Sequence, residues 1–262
     1  MTAPFRTLIA PLIAISLLAG CQTPPDNGIT QIATIDSLLV GVYDGHVSLH
    51  QLRTYGDFGI GTFEGLDGEM LLLDGRFYQV RSDGKVYRPA LSVKTPFACV
   101  TSFVPDCRDT LQGPLDLDGL EAKIDKRVPQ PNQFCAFIVR GDFNHVKTRS
   151  VPAQKKPYPP LAEVTKTQPV FEIPKVRGTL IGFRAPALVK GVNVPGYHLH
   201  FLADDLSSGG HVLAFELAQG TLEADTLHDW LRIYLPTASK AFGSADLSQD
   251  RSTELRSVEK GR

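Results

Sequence analysis

Three histidines stand close together late in the chain. His198 and His200 lie in the run Tyr197-His198-Leu199-His200-Phe201-Leu202, and His211 follows a segment from Ala203 to Gly210. Alternate side chains of a strand share a face, so His198 and His200 project together while Leu199 and Phe201 point the other way. Asp204, Asp205, Ser207, Ser208, Gly209 and Gly210 are turn residues, and a hairpin there returns His211 beside the first pair. Three imidazoles on one surface leave a fourth coordination position open, which is the arrangement of catalytic zinc. Neutral imidazole suits that ion, and zinc polarises carbonyl and hydroxyl oxygens. The alternative is chance, since a lone histidine is ordinarily a surface or satisfied core residue. His46, His50, His145 and His228 have no such company and read as ordinary polar residues.

The elements that must position this group are mostly strands. Ile35 to Val40 and Val47 to Leu52 are short apolar runs that read as strands. Asp67-Gly68 and Asp74-Gly75 sit beside apolar runs, and Asp-Gly is a tight-turn signal because glycine tolerates positive φ. Ser82-Asp83-Gly84 marks a third turn. Mixed charge and apolar spacing from Leu115 to Val128 fits a helix. Phe134 to Val139, Thr179 to Phe183, Tyr197 to Leu202 and His211 to Leu217 fit strands, and Thr226 to Leu235 fits either type. Pro152, Pro157, Pro159 and Pro160 block regular ladders, so a connection is expected there, followed by a short helix from Leu161 to Gln168. From Ser244 the text is polar and charged.

The first residues are a separate object. Arg6 precedes an apolar run from Leu8 to Leu18, too short to span a bilayer and of signal-peptide type. Leu18-Ala19-Gly20-Cys21 resembles the bacterial lipobox, which implies cleavage before Cys21 and a lipid on its sulfur. Residues 1–20 are therefore expected to be a signal peptide and 21–33 a tether, followed by a β-rich domain over 34–155. The remaining 156–262 are expected to form a metal-binding β domain with a polar tail. A lipid on Cys21 implies a membrane-anchored protein of the cell envelope, facing the periplasm if the cell has one. Cys99, Cys107 and Cys135 allow at most one disulfide within the chain, and their spacing does not decide whether one forms. The net charge of -1 gives no electrostatic reason to expect nucleic acid.

The histidine run with Ser208-Gly209-Gly210-His211 resembles the metal motif of the bacterial alpha-acetolactate decarboxylases. So do Gly59-Ile60-Gly61-Thr62-Phe63, Leu66-Asp67-Gly68-Glu69, Asp74-Gly75-Arg76-Phe77-Tyr78 and Arg81-Ser82-Asp83-Gly84. Thr148-Arg149-Ser150-Val151, Lys156-Pro157-Tyr158, Lys166-Thr167-Gln168-Pro169 and Arg177-Gly178-Thr179 continue it, from about Ile35 to Pro236. The resemblance implies conversion of 2-acetolactate to (R)-acetoin and carbon dioxide through a metal-stabilised enediolate. It implies Zn2+ on His198, His200 and His211, with Arg149 and Glu69 in the site and Thr62 in the substrate pocket. A second glutamate is implied from the tail, where Glu259 matches best and Glu254 is a rival. The fold implied is strand-dominated α+β, two sheet-based domains with the metal near their junction, and a homodimer fits the family. Chemically, Arg149 could fork onto a carboxylate, and a glutamate could protonate one face of the enediolate. Two other functions stay open: a metal-dependent hydrolase on the same scaffold, and an envelope lipoprotein that binds a metabolite or metal without turnover.

Overall fold

The computed structural model describes residues 27–260. In chain order these form β1 (Ile29–Ile32), α1 (Ile35–Leu39), β2 (Val47–Ser48), α2 (Leu49–Leu52), β3 (Phe58–Thr62), β4 (Glu69–Leu73) and β5 (Arg76–Val80). Then come β6 (Val86–Tyr87), β7 (Lys94–Thr95), β8 (Ala98–Thr101), β9 (Cys107–Leu115), α3 (Leu117–Arg127) and β10 (Phe134–Arg149). The remainder is α4 (Leu161–Thr165), β11 (Val170–Ala185), β12 (Gly196–Ala203), β13 (Gly209–Leu227), β14 (Leu231–Tyr234), α5 (Lys240–Ser244) and α6 (Ser252–Lys260).

Two main sheets result. A seven-stranded sheet runs β14-β1-β8-β3-β4-β5-β6, and its β1–β14 pair is parallel. A five-stranded antiparallel sheet contains β9 to β13 without a break in chain order. In it β10 pairs with both β11 and β13, while β12 pairs with β11 and with the start of β13, so these four strands close on themselves. The sheets face one another across a shared apolar layer. Ile60, Leu71 and Val80 come from the first, and Ile138, Ile181 and Phe183 from the second. The far side of the five-stranded sheet is covered by Leu120 and Ile124 of α3, set four residues apart on one helix face. A smaller cluster at one end joins Ile35 and Leu38 of α1, Leu161 and Val164 of α4, and Leu255 and Val258 of α6.

This strand-dominated α+β architecture is the class expected, but the sheets do not divide at residue 155. The strands β9 and β10 belong with β11–β13, and β14 returns to the N-terminal sheet. Residues 29–32, grouped with the tether in the sequence reading, are a buried strand paired on both sides. The run from Ile35 is a helix rather than a strand. Thr34 and Ser37 form a reciprocal capping box that satisfies the helix's first amides, a local signal that outweighs the apolar run. The run from Val47 also turns helical after two residues, where the Ser48 side chain caps α2. The turn at Asp74-Gly75 forms as expected, both residues at positive φ between β4 and β5. The tail is not merely polar, because Leu255 and Val258 lie one helical turn apart and bury.

Cys99, Cys107 and Cys135 are free thiols, and burial pushes Cys99 and Cys135 up to about 12, so they pack as small apolar groups. The expected signal peptide and the anchor at Cys21 lie outside the described residues.

Candidate active site and metal centre

The site is assembled from a row of residues on each sheet and one residue from the last helix. In the five-stranded sheet, His211 sits opposite Arg149 of β10 and opposite His200 of β12. His198 lies two residues back on the same face of β12. In the seven-stranded sheet, Thr62 of β3 sits opposite Glu69 of β4. Glu259 reaches in from α6.

Glycines permit this close approach. Gly210 has φ +128, and a Cβ there would stand 2.5 Å from the Arg149 carbonyl, so only glycine lets β13 come this near to β10. Gly68 has φ +82 and would place a Cβ 2.2 Å from the Val80 carbonyl. The Thr62 hydroxyl donates to the Gly68 carbonyl at 2.7 Å, which fixes the backbone just before Glu69.

The three imidazoles converge. Their ring centroids are 5.0–5.5 Å apart, and one ligand atom from each lies within 4.8 Å of the others. All three are buried. Burial lowers the His198 pKa to about 3, helped by the nearby Arg149 charge, and it depresses His200 and His211 strongly as well. They are therefore neutral at physiological pH, the form that binds metal. The His200 Nδ1 lies 2.8 Å from the Met70 carbonyl. A carbonyl only accepts, so Nδ1 carries the proton and Nε2 presents its lone pair to the site.

The acidic groups face these rings. Glu69 Oε2 is 3.5 Å from His200 Nε2, and Glu259 Oε2 is 3.6 Å from His211 Nε2 and 3.8 Å from His198 Nε2. Burial raises Glu69 to about 7, with Arg149 opposing and Glu259 adding to the rise. Burial raises Glu259 too, against the pull of Arg149. His200 Nε2, Glu259 Oε2 and Arg149 Nε are all buried without a hydrogen-bond partner. One such atom costs about 1–3 kcal/mol, so three facing one pocket mark a place built for something else to bind. A divalent metal fits the donor set of three neutral imidazoles, a vacant lone pair on His200 and nearby carboxylates. The pocket's remaining wall is apolar, made of Ile35, Leu38, Leu66, Phe97, Val151, Leu161 and Val258.

A model of the alpha-acetolactate decarboxylase family matches residues 29–249. The chain belongs to that family. An alpha-acetolactate decarboxylase of Methanosarcina mazei is 50% identical over 88% of this chain and 79% of its own length. One from Methylococcus capsulatus is 44% identical over 89% of each. The crystal structure of the Bacillus subtilis alpha-acetolactate decarboxylase superposes with a TM-score of 0.86 at 39% identity, covering 90% of this chain and 100% of that one. Membership makes the protein an enzyme, a lyase acting on acetolactate.

Of the candidate residues that are described, Thr62, Glu69, Arg149, His198, His211 and Glu259 line this pocket and His200 stands beside the other two histidines, whereas Glu254 does not reach it. That residue is five positions along α6 from Glu259 and borders a separate surface cleft with Leu39, Val40 and Pro160. His46, His50, His145 and His228 lie elsewhere. Gln168 has no role apparent from residue type or spacing, yet its side-chain oxygen accepts from Arg149 at 2.8 Å. Its only signal was membership of the Lys166-Thr167-Gln168-Pro169 motif.

Proposed function

We propose that this enzyme converts 2-acetolactate to (R)-acetoin and carbon dioxide with zinc held by His198, His200 and His211. The observation that carries the reading is the convergence of three neutral imidazoles, one buried guanidinium and two buried carboxyl groups on a single apolar-walled pocket. Zinc there would supply Lewis acidity toward the substrate's hydroxyl and keto oxygens. Arg149 binds the substrate carboxylate, whose geometry matches its planar fork. Loss of carbon dioxide leaves an electron pair on C2, which delocalises into the adjacent ketone as an enediolate. Glu69, with its pKa raised to about 7, holds a proton near neutrality and is placed to return it to C2. Glu259, beside His198 and His211, orders the substrate hydroxyl. Delivery from one side gives a single acetoin enantiomer. The apolar wall accepts the two methyl groups and keeps bulk water from the reacting carbon.

The test is acetoin release from racemic acetolactate by protein lacking residues 1–20, with metal content measured in parallel. Production of (R)-acetoin that stops on chelation and returns with zinc is the expected result. Folded, zinc-loaded protein that makes no acetoin would sink the reading.

Location is inferred from the lipobox-like run ending at Cys21, which supports a lipid-anchored envelope protein. Palmitate labelling of the full chain, absent from Cys21→Ala, is the expected outcome. Unlabelled full-length protein in the soluble fraction would refute it. Among the described residues no helix is long and apolar enough to cross a membrane.

A further inference from the structure

Two arginines are buried against the five-stranded sheet, and their surroundings differ. Arg184 spends both terminal nitrogens on the protein: its guanidinium donates to the Asp125 carboxylate and to the carbonyls of Val128, Gln130 and Gln133. Those bonds close off α3 and the loop after it, a structural use of the side chain. Arg149 is only 4% exposed, and its guanidinium makes one protein hydrogen bond among the described residues, from NH1 to Gln168 Oε1 at 2.8 Å. Its Nε is buried without a partner. No carboxylate lies within ion-pair distance of it among the described residues, although Glu69 and Glu259 line the same pocket. A guanidinium has five N–H donors, so most of its capacity faces the pocket.

Gln168 is held by the backbone that carries it. Pro169, the next residue, accepts from the Ser150 amide at 3.3 Å, and β11 then pairs Val170 with Arg149. The segment before it is α4, which packs against the helix bearing Glu259. Gln168 is thus fixed at the end of the arginine's own strand pair. Its amide is the neutral counterpart of the carboxylate that satisfies Arg184. A carboxylate at 168 would fix the guanidinium equally well but would neutralise it and compete with any incoming anion.

We propose that Gln168 is a positioning residue, orienting Arg149 through one uncharged acceptor so that its full charge is kept for the substrate's carboxylate. This rests on the reading that Arg149 receives that carboxylate. Substitution is then felt by anionic ligands and not by neutral ones.

The test uses the metal-replete enzyme and two competitive ligands, 2-hydroxyisobutyrate as an anionic probe and acetoin as a neutral one. In Gln168→Ala, inhibition by 2-hydroxyisobutyrate weakens by about tenfold, the scale of one hydrogen bond to a charged group. Acetoin inhibition stays within about twofold, and KM rises more than kcat falls. Gln168→Glu, which keeps the acceptor and adds charge, weakens the anion further still. Gln168→Met, nearly isosteric, reproduces the alanine result and serves if alanine misfolds. Equal weakening of both ligands, or a Gln168→Glu enzyme that binds the anion as well as wild type, overturns the proposal. Arg149→Lys separates the two readings. If 2-hydroxyisobutyrate does not inhibit wild type, or inhibits Arg149→Lys equally well, the carboxylate role of Arg149 fails and this inference with it. If inhibition needs Arg149 and ignores Gln168, only the inference fails.

Discussion

The two carboxyl groups of the pocket are held in opposite ways. Glu69 lies in β4, inside the seven-stranded sheet, with β3 hydrogen-bonded on one side and β5 on the other. Glu259 lies on α6, a nine-residue helix attached chiefly by Leu255 and Val258 against α1 and α4. A helix that short does not persist in water on its own, since isolated helices need about 12–15 residues. Just ahead of it Lys190 pairs with Asp250 at 2.7 Å, but both side chains are largely exposed, and such pairs add little. Glu69 therefore cannot leave the site without opening a sheet, whereas Glu259 can leave with its helix. One side of the pocket is part of the fold, and the other is docked onto it.

This contrast can be broken at several strengths. The largest effect is expected from His200→Ala, which removes one of the three candidate metal-binding imidazoles from the rigid side. Metal content should fall, and acetoin formation should drop by more than about 100-fold, since even the groups that merely support metal ligands cost about 10–100-fold. Elemental analysis beside a rate measurement checks it. On the proposed mechanism Glu69→Gln removes the proton donor and leaves the sheet and the histidines in place, so kcat should fall about 10²–10⁴-fold with metal content unchanged. Deleting residues 252–262 should leave both sheets folded and metal-bound, and should cost activity as much as Glu259→Gln does. If the deletion instead abolishes the cooperative melting transition, α6 is part of the fold and the contrast fails. A smaller effect belongs to Val258→Ala, which loosens only the docking contact. Activity should fall a few-fold while the melting temperature barely moves. Leu71→Ala in the layer between the sheets should do the reverse, costing about 2–5 kcal/mol of stability.

Without metal, the same buried groups make stability depend on pH. The buried histidines have folded pKa values below their usual 6.5, so the unfolded chain binds more protons and stability falls as pH drops below about 6.5. Glu69 acts oppositely. Its pKa is raised from 4.5 to about 7, so its contribution is full below pH 4.5 and is lost as pH rises to 7. The two oppose between 4.5 and 6.5, and below 4.5 the histidines dominate this pocket's contribution. Denaturant titration of the chelated protein should lose stability from pH 4.5 to 3.5 at up to about 1.4 kcal/mol per unit for each histidine that stays neutral when folded. His198→Gln should make that decline shallower.

Much of the site was legible because it is local. The alternation of His198 and His200, the turn composition before His211 and the Asp74-Gly75 turn each follow from the backbone period or from glycine's φ range, and each is found in the structure. The helix from Leu117 to Arg127 was also readable, from its spacing. Misreadings arose where a short apolar run met a capping signal, as at Thr34 and Ser48. How the strands on either side of residue 155 group into sheets was hidden for another reason. Strand order in a sheet depends on which distant segments pair, and prolines mark a connection without saying which sheet lies on either side.

The sequence by itself determined the family, the trio of metal-binding candidates and the strand-rich class, because motif identity and two-residue alternation are properties of neighbouring residues. Only the tertiary structure decided that Glu259 rather than Glu254 reaches the histidines, and that Thr62 spends its proton on the Gly68 carbonyl. It alone showed Gln168 as the partner of Arg149. Those outcomes turn on distances of a few ångströms between segments far apart in the chain. They are set by how the two sheets and α6 pack, and no local pattern encodes that.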